Sequence, residues 1–233
     1  MPNKDKKDKD KNLNKKIDKV FKDYFDLETN LEKLIINNED SSNKRGKDNT
    51  SFKDLLSDKL KGVNKKRFKE LNVISDGILS GLQHRDLGKI EEKYLLKGKH
   101  LKVMDVAEDK KGLNNKSNFK KRTIKSNDVL LRVKGQIGPA ALISEDESGL
   151  HYYNDLVRIR VDLDTIIPQY LSLYLNSFIG RNFLNKFSKS KSMNYINIGS
   201  VKKVPVLTPM LIDQWKIVRE YFNMINIQQI EEV

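Results

Sequence analysis

The chain has 233 residues, enough for one sizeable domain with an appendage or for two small domains. Lys and Arg number 45 against 32 Asp and Glu, and the resulting formal charge of +13 points first to polyanionic partners. Cysteine is absent, which excludes disulfides, thiolate metal sites and cysteine nucleophiles. No stretch is long and apolar enough for a bilayer span or a signal core, so a soluble cytoplasmic protein without a membrane partner is expected.

Residues 1–12 alternate lysine with aspartate, and a segment with so little apolar surface is expected to be a disordered charged tail. A heptad seam then runs over residues 13–36, with Leu13, Ile17, Val20, Tyr24, Leu27, Leu31 and Leu34 at alternating steps of four and three. That alternation favours a coiled-coil partner helix over an amphipathic helix lying on its own domain. Aspartate at Val20 and Leu27 is therefore expected to break partner docking and leave the central domain folded. Residues 37–50 are polar and read as a linker. The body spans 51–208, opening with a short helix that carries Phe52, Leu55, Leu56 and Leu60 on one face.

Within the body, β-like runs are expected at Leu71–Ile74, Tyr94–Leu96 and Leu101–Val106. The glycine-rich segment from Ile74 to Lys89, which contains His84 and Arg85, is expected to be loop or a sharply turning hairpin. Strands at Val129–Val133 and Ala140–Ile143 flank the loop Lys134-Gly135-Gln136-Ile137-Gly138-Pro139. Its glycines permit backbone angles that other residues avoid and a close approach to a ligand. Lys134 can reach a phosphate or a guanine edge, and Gln136 can pair with adenine. A plain hairpin with water-facing tips fits the same residues.

Val157, Ile159 and Val161 alternate with Arg158 and Arg160, which gives a strand with one apolar and one basic face. Pro168 opens a helix whose stripe is Tyr170, Leu171, Tyr174, Leu175 and Phe178. Residues 187–200 are rich in Ser, Lys and Asn, side chains suited to phosphate and base-edge contacts, although a flexible loop has the same composition. A last strand is expected at Val201–Leu207. The final helix, 209–233, carries Leu211, Trp215, Val218, Phe222 and Ile225 at the spacing of the first.

Catalytic patterns are weak. Glu91 and Lys93 have a spacing found in metal-dependent nucleases, but no acidic strand-end residue suitably precedes them. The three histidines, His84, His100 and His151, are scattered without metal-ligand spacing. Phosphate-loop and dinucleotide fingerprints are missing, as is the Asn-Pro-Pro-Tyr motif of amino-methyltransferases.

Three segments together resemble a target recognition domain of the DNA specificity subunit of type I restriction-modification systems. They are SNDVLLRVKGQIGPAALI, LVRIRVDLDTIIPQYLSLYLNS and SMNYINIGSVKKVPVLTPMLIDQWKIV, in matching order over roughly residues 67–222. The resemblance implies an α/β (α+β) domain flanked by N- and C-terminal helices that form a coiled coil. Such a domain would read a half-site of duplex DNA. Its helices would dock an adenine methyltransferase subunit and, where present, a restriction or translocase subunit. No cofactor is implied on this chain, since S-adenosylmethionine would bind the methyltransferase. The family's full subunit has two recognition domains, so pairing with a second copy or another specificity chain is implied. The candidate DNA contacts are Lys134, Gln136, Lys189, Lys191, Ser192 and Asn194, with His84 and Arg85 behind them. Two other readings remain open: an assembly protein that binds a methyltransferase without reading DNA, and a nuclease using Glu91 and Lys93.

Overall fold

The computed structural model describes residues 4–25, 68–107, 122–189 and 193–225. Among them, the central feature is a four-stranded antiparallel sheet in the order β2-β7-β4-β5. Its strands are β2 (Ser75–Ser80), β4 (Val129–Arg132), β5 (Ala140–Leu142) and β7 (Leu156–Val161). Two short pairs accompany it: β1 (Phe68–Glu70) antiparallel to β8 (Pro205–Leu207), and β3 (Leu95–Leu96) parallel to β6 (His151–Tyr152). Five α-helices are described: α1 (Lys4–Phe25), α2 (Pro168–Asn176), α3 (Phe178–Phe187), α4 (Ile198–Lys202) and α5 (Leu211–Met224).

Successive side chains of a strand face opposite ways, and here both faces are covered. Val129, Leu131, Val157, Ile159 and Val161 enter the main core with Tyr170, Leu171, Tyr174 and the buried residues of α1 and α5. Leu130, Ala141 and Leu156 enter a second, smaller core with Leu96, Ile124, Leu150 and Tyr152. The basic face of β7 is therefore not an open surface. Arg160 forks onto Asp128 through Nε and Nη2, both at 2.8 Å, and Asp128 is 1% exposed. Asp128 also accepts the backbone N–H of Lys125 at 2.8 Å. A buried carboxylate requires that many donors, and the planar guanidinium supplies two of them at once.

The edge strand β5 is closed by the Met104 backbone, whose N–H donates to the Ala140 carbonyl at 2.9 Å and whose carbonyl accepts from Leu142 N–H at 3.4 Å, and by one side chain. The Asn176 amide accepts from the Ala140 N–H at 3.1 Å and donates to the Ala140 carbonyl at 2.7 Å. Helix α2 starts at Pro168, whose missing N–H is no loss in a first turn.

Several expectations are corrected. Helix α1 begins at Lys4, inside the segment expected to be disordered. Ile17, Val20 and Phe21 anchor it in the core, and extending a nucleated helix needs only one residue fixed per new hydrogen bond. The residues of the first strand are 68–70; Leu71–Ile74 is a turn closed by Val73 N–H to the Glu70 carbonyl at 2.9 Å. Only Leu71 and Ile74 are buried there, and Val73 is 62% exposed. Ser75–Ser80, expected as loop or part of a sharply turning hairpin, is a strand because the free edge of β7 recruits it; a register shift between Ser75 and Gly77 leaves Asp76 as the extra residue. Leu101–Val106 is a tight irregular turn with a single bridge between its ends. Ile198–Lys202 is helical, capped by the Asn197 side chain on Ser200 N–H at 2.8 Å, so the last strand shrinks to three residues.

The end helices lie on the body and touch each other. Phe21 sits 5.9 Å from the Tyr170 ring and 6.1 Å from the Tyr174 ring. Asp18 accepts from Phe178 N–H and from Arg181, both at 2.7 Å, which places a carboxylate at the positive end of α3. Lys16 donates to the Met224 carbonyl at 3.1 Å, a cation at the C-terminus of α5. Of the first seam, Ile17 and Val20 are buried, Leu13 is half-buried and Tyr24 is exposed. Val20 is thus part of the folded core, contrary to the expectation that aspartate there would spare the domain. Leu27, Leu31 and Leu34 lie outside the described residues, as do the linker 37–50 and the short helix after it.

In α5 the buried face is Gln214, Ile217, Val218 and Tyr221. It is rotated from the expected stripe: Leu211 is exposed, while Trp215, Phe222 and Ile225 are half-buried. The cause is polar. Gln214 accepts from Ile167 N–H at 2.8 Å and donates to the carbonyls of Pro209 and Thr165 at 2.9 and 3.1 Å. A pattern of apolar residues cannot reveal a glutamine that serves as the hub between a helix start and a loop.

Candidate nucleic-acid interface

β2 and β4 end, and β5 and β7 begin, at one end of the sheet. The loop after β4 turns there on Gly135 and Gly138, whose φ values of +73° and +122° favour glycine. The connection is a hairpin: Arg132 N–H donates to the Pro139 carbonyl at 3.0 Å. Gln136 stands exposed at its tip, and Lys134 is half-buried at its base.

The late polar loop packs against this hairpin through the backbone. Gly135 N–H donates to the Asn194 carbonyl at 2.9 Å, and Ile196 N–H to the Val133 carbonyl at 2.9 Å. Lys189 and Tyr195 exchange backbone hydrogen bonds at 2.8 and 3.0 Å, so the loop between them is pinched at its base. This brings Lys189 and Asn194, both exposed, beside Lys134 and Gln136. Lys191 and Ser192 lie outside the described residues.

The third segment joins through side chains. His84 and Arg85 are exposed on a 3-10 turn, His84–Lys89. Gln83, just before it, accepts from the Asn154 amide at 3.2 Å, and Asn154 in turn accepts from Lys134 Nζ at 3.1 Å. The predicted contacts that are described, Lys134, Gln136, Lys189, Asn194, His84 and Arg85, thus come together from three separate stretches of sequence. Sequence reasoning missed Gln83 and Asn154. The Asn-Asp pair before β7 is a turn signal, but nothing in it reveals a partner on another loop.

Electrostatically the surface offers Lys134, Lys189 and Arg85 as cations with two amides among them. Such a mixture can bind phosphate through charge and base edges through directed hydrogen bonds. Elsewhere, Glu91 and Lys93 form an exposed ion pair at 2.7 Å, with Lys93 over the Tyr94 ring at 4.8 Å. The ion pair with Glu91 raises the pKa of Lys93. No group of three or more His, Asp or Glu able to hold a metal occurs among the described residues. Nor is any described helix long and apolar enough to cross a membrane.

Comparison with known proteins bears on the fold and the family. The chain is 27% identical over 101 residues to the type I restriction enzyme EcoBI specificity subunit of Escherichia coli, covering 43% of this chain and 21% of that protein. A solved chain from work on complex assembly and conformational transition of the type I R-M system has the same fold, with a TM-score of 0.50 at 16% identity. That match covers 69% of this chain and 38% of the other. The HsdS subunit from Thermoanaerobacter tengcongensis gives a TM-score of 0.49 at 14% identity, over 69% of this chain and 42% of its own. The chain therefore spans about a fifth of that curated relative and under half of those solved chains. Residues 83–232, which run from Gln83 through β4, the hairpin, β5 and β7 and include α5, match the type I restriction modification DNA specificity domain, and the chain belongs to that family.

Proposed function

We propose that this chain reads a short half-site of duplex DNA through the loop end of its sheet and performs no chemistry of its own. The observation that carries the reading is the convergence of Lys134, Gln136, Lys189 and Asn194 with the Gln83–Arg85 turn, in a chain of the specificity-domain family. Gln136 and Asn194 would contact base edges, while Lys134, Lys189, Lys191, Ser192 and Arg85 would fix the register on phosphates. His84 stands beside them. An adenine methyltransferase subunit, which would bring S-adenosylmethionine, would dock on the helices. A restriction subunit would join the same assembly. The predicted seam residues Leu27, Leu31 and Leu34 would pair with a second specificity chain or a second copy as a coiled coil, while Ile17 and Val20 serve the chain's own core.

Binding of the full chain to selected and scrambled duplexes across a salt series tests this reading. Each phosphate contact adds about 0.9 to the slope of log K against log salt, so Lys189→Ala should reduce that slope by about 1. Equal affinity for selected and scrambled duplexes would remove the base-reading role.

A second reading, an assembly subunit that binds the methyltransferase but no DNA sequence, draws support from a different surface. Met210, Leu211 and Ile212 are exposed at the start of α5, and Leu163 is 62% exposed on the turn that Gln214 ties to that helix. Stable complex formation with the methyltransferase, without any preferred DNA sequence, would favour it.

A further inference from the structure

Asn154 occupies an unusual position. It is the tip of the turn Tyr153-Asn154-Asp155 between β6 and β7, and both of its neighbours are held. Tyr153 N–H donates to the Leu96 carbonyl at 2.8 Å. The Asp155 carboxylate accepts Gly98 N–H at 2.7 Å, and its carbonyl accepts Val133 N–H at 2.9 Å. Gly81 packs so tightly against this turn that an added Cβ would lie 2.2 Å from the Tyr153 carbonyl oxygen. The backbone that carries Asn154 is thus clamped by three other segments.

The side chain on that clamped turn faces two loops at once. Its Oδ1 accepts from Lys134 Nζ, and its Nδ2 donates to Gln83 Oε1. A lysine ammonium has three N–H donors, and this contact uses one. A glutamine amide can present either end to a ligand; here the Asn154 donor holds Oε1 at 3.2 Å, Nε2 gives one hydrogen to the Gly81 carbonyl at 3.5 Å, and its second hydrogen is left for a ligand. Asn154 therefore sets both the place of a cation and the donor–acceptor polarity of an amide.

We infer that Asn154 is a positioning residue for DNA specificity, which makes Gln83 a base-reading side chain and Lys134 its oriented neighbour. The inference rests on the proposed DNA-reading function and goes beyond it by assigning roles to two residues outside the glycine hairpin and the late loop. Glutamine with a fixed amide matches adenine, whose N7 accepts and whose N6 amino group donates. Nε2 would donate to N7, and the second lone pair of Oε1 would accept from N6.

The test begins with selection of duplexes by the wild-type full chain from a random-sequence pool, followed by binding to the selected site and to each of its single-base variants. Thermal unfolding is recorded for every variant. Asn154→Ala should lower discrimination at one or two adjacent positions about tenfold or more, the scale of a lost directed amide–base contact. Gln83→Ala should lose discrimination at the same positions, and the double variant should lose no more than either single one. Asn154→Asp keeps an acceptor for Lys134 but removes the donor to Gln83, so it should reproduce the Gln83→Ala profile. A uniform loss of affinity at every position of the site in Asn154→Asp would overturn the inference, because that is the signature of a merely structural role. Unaltered discrimination in Asn154→Ala would overturn it as well. Both failures leave the DNA-reading function standing. Selection of no sequence by the wild-type chain would instead overturn that function, and the inference with it.

Discussion

The helical face and the loop end of the sheet use polar side chains in opposite ways. On the helical face, buried polar groups are consumed by the fold. Gln214 bonds three backbone groups, Asn176 closes the edge of β5, and Asp18 and Lys16 sit at helix ends. At the loop end, backbone groups bond to one another and hold the loops. Gly135 meets Asn194, Lys189 meets Tyr195, and Val133 meets Ile196 and Asp155. Side chains such as Gln136, Lys189 and Asn194 are then left in solvent. The proposed binding surface lies where the main chain fixes the hairpin and the late loop, Asn154 ties in the third segment, and the remaining side chains are released from that task.

The largest expected effect falls on the helical face. Val20→Asp puts an unpaired charge into the main core and should cost about 4 kcal/mol or more, read as a shift in urea midpoint. A folded domain with normal stability would mean that α1 is not part of the core. Gln214→Ala leaves the Ile167 N–H and two carbonyls without their partner, an expected loss of about 2–4 kcal/mol in the same measurement.

The same face should respond to alkali. Burial, with a smaller contribution from Asp105, pushes the phenol of Tyr221 up to about 12, and burial raises Tyr170 and Tyr174 as well. Unfolded phenols ionise near pH 10 while these keep their protons, so the unfolded state loses protons first. The stabilisation is complete below about pH 10 and falls as pH rises through the folded values, by about 1.4 kcal/mol per unit for each such group. Urea midpoints at several pH values between 8 and 11.5 measure it; a flat profile would contradict the burial of these rings.

Effects on the loop end should be smaller for folding and larger for recognition. Gly81→Ala must displace the Tyr153–Asp155 turn and should cost about 2 kcal/mol, together with altered base preference. Gln136→Ala should change stability by no more than about 0.5 kcal/mol. It should weaken binding to the selected DNA by about 1–3 kcal/mol with little change on random DNA. Sites of adenine methylation, mapped after co-expression with a methyltransferase subunit, would then shift or vanish.

How much of this was legible in the sequence follows the same division. The strands at Val129 and Val157 and the helix at Pro168 carry strong local signals, a period of two in β7 and a proline at a helix start, and they stand where expected. Strand β2 was missed because its glycine and polar residues become a strand only by pairing with β7. The stripe of α5 was misplaced because Gln214 lies at its buried centre. The candidate interface was half legible. Glycine and lysine in the 134–139 loop signalled a special turn, and the 187–200 stretch signalled polar contacts. Asn154 belongs to neither, and its importance comes from two partners distant in sequence, Gln83 and Lys134. Long-range side-chain hydrogen bonds leave no periodic trace.

Asn176 has one more consequence. Its amide occupies both backbone groups of Ala140, so at that point the outer strand presents no ladder for another chain to extend. Two copies meeting at this border would find it already sealed by an amide that mimics a neighbouring peptide. Growth of the sheet from molecule to molecule is therefore blocked at that point of this side, whatever the other edge or the helix surfaces do.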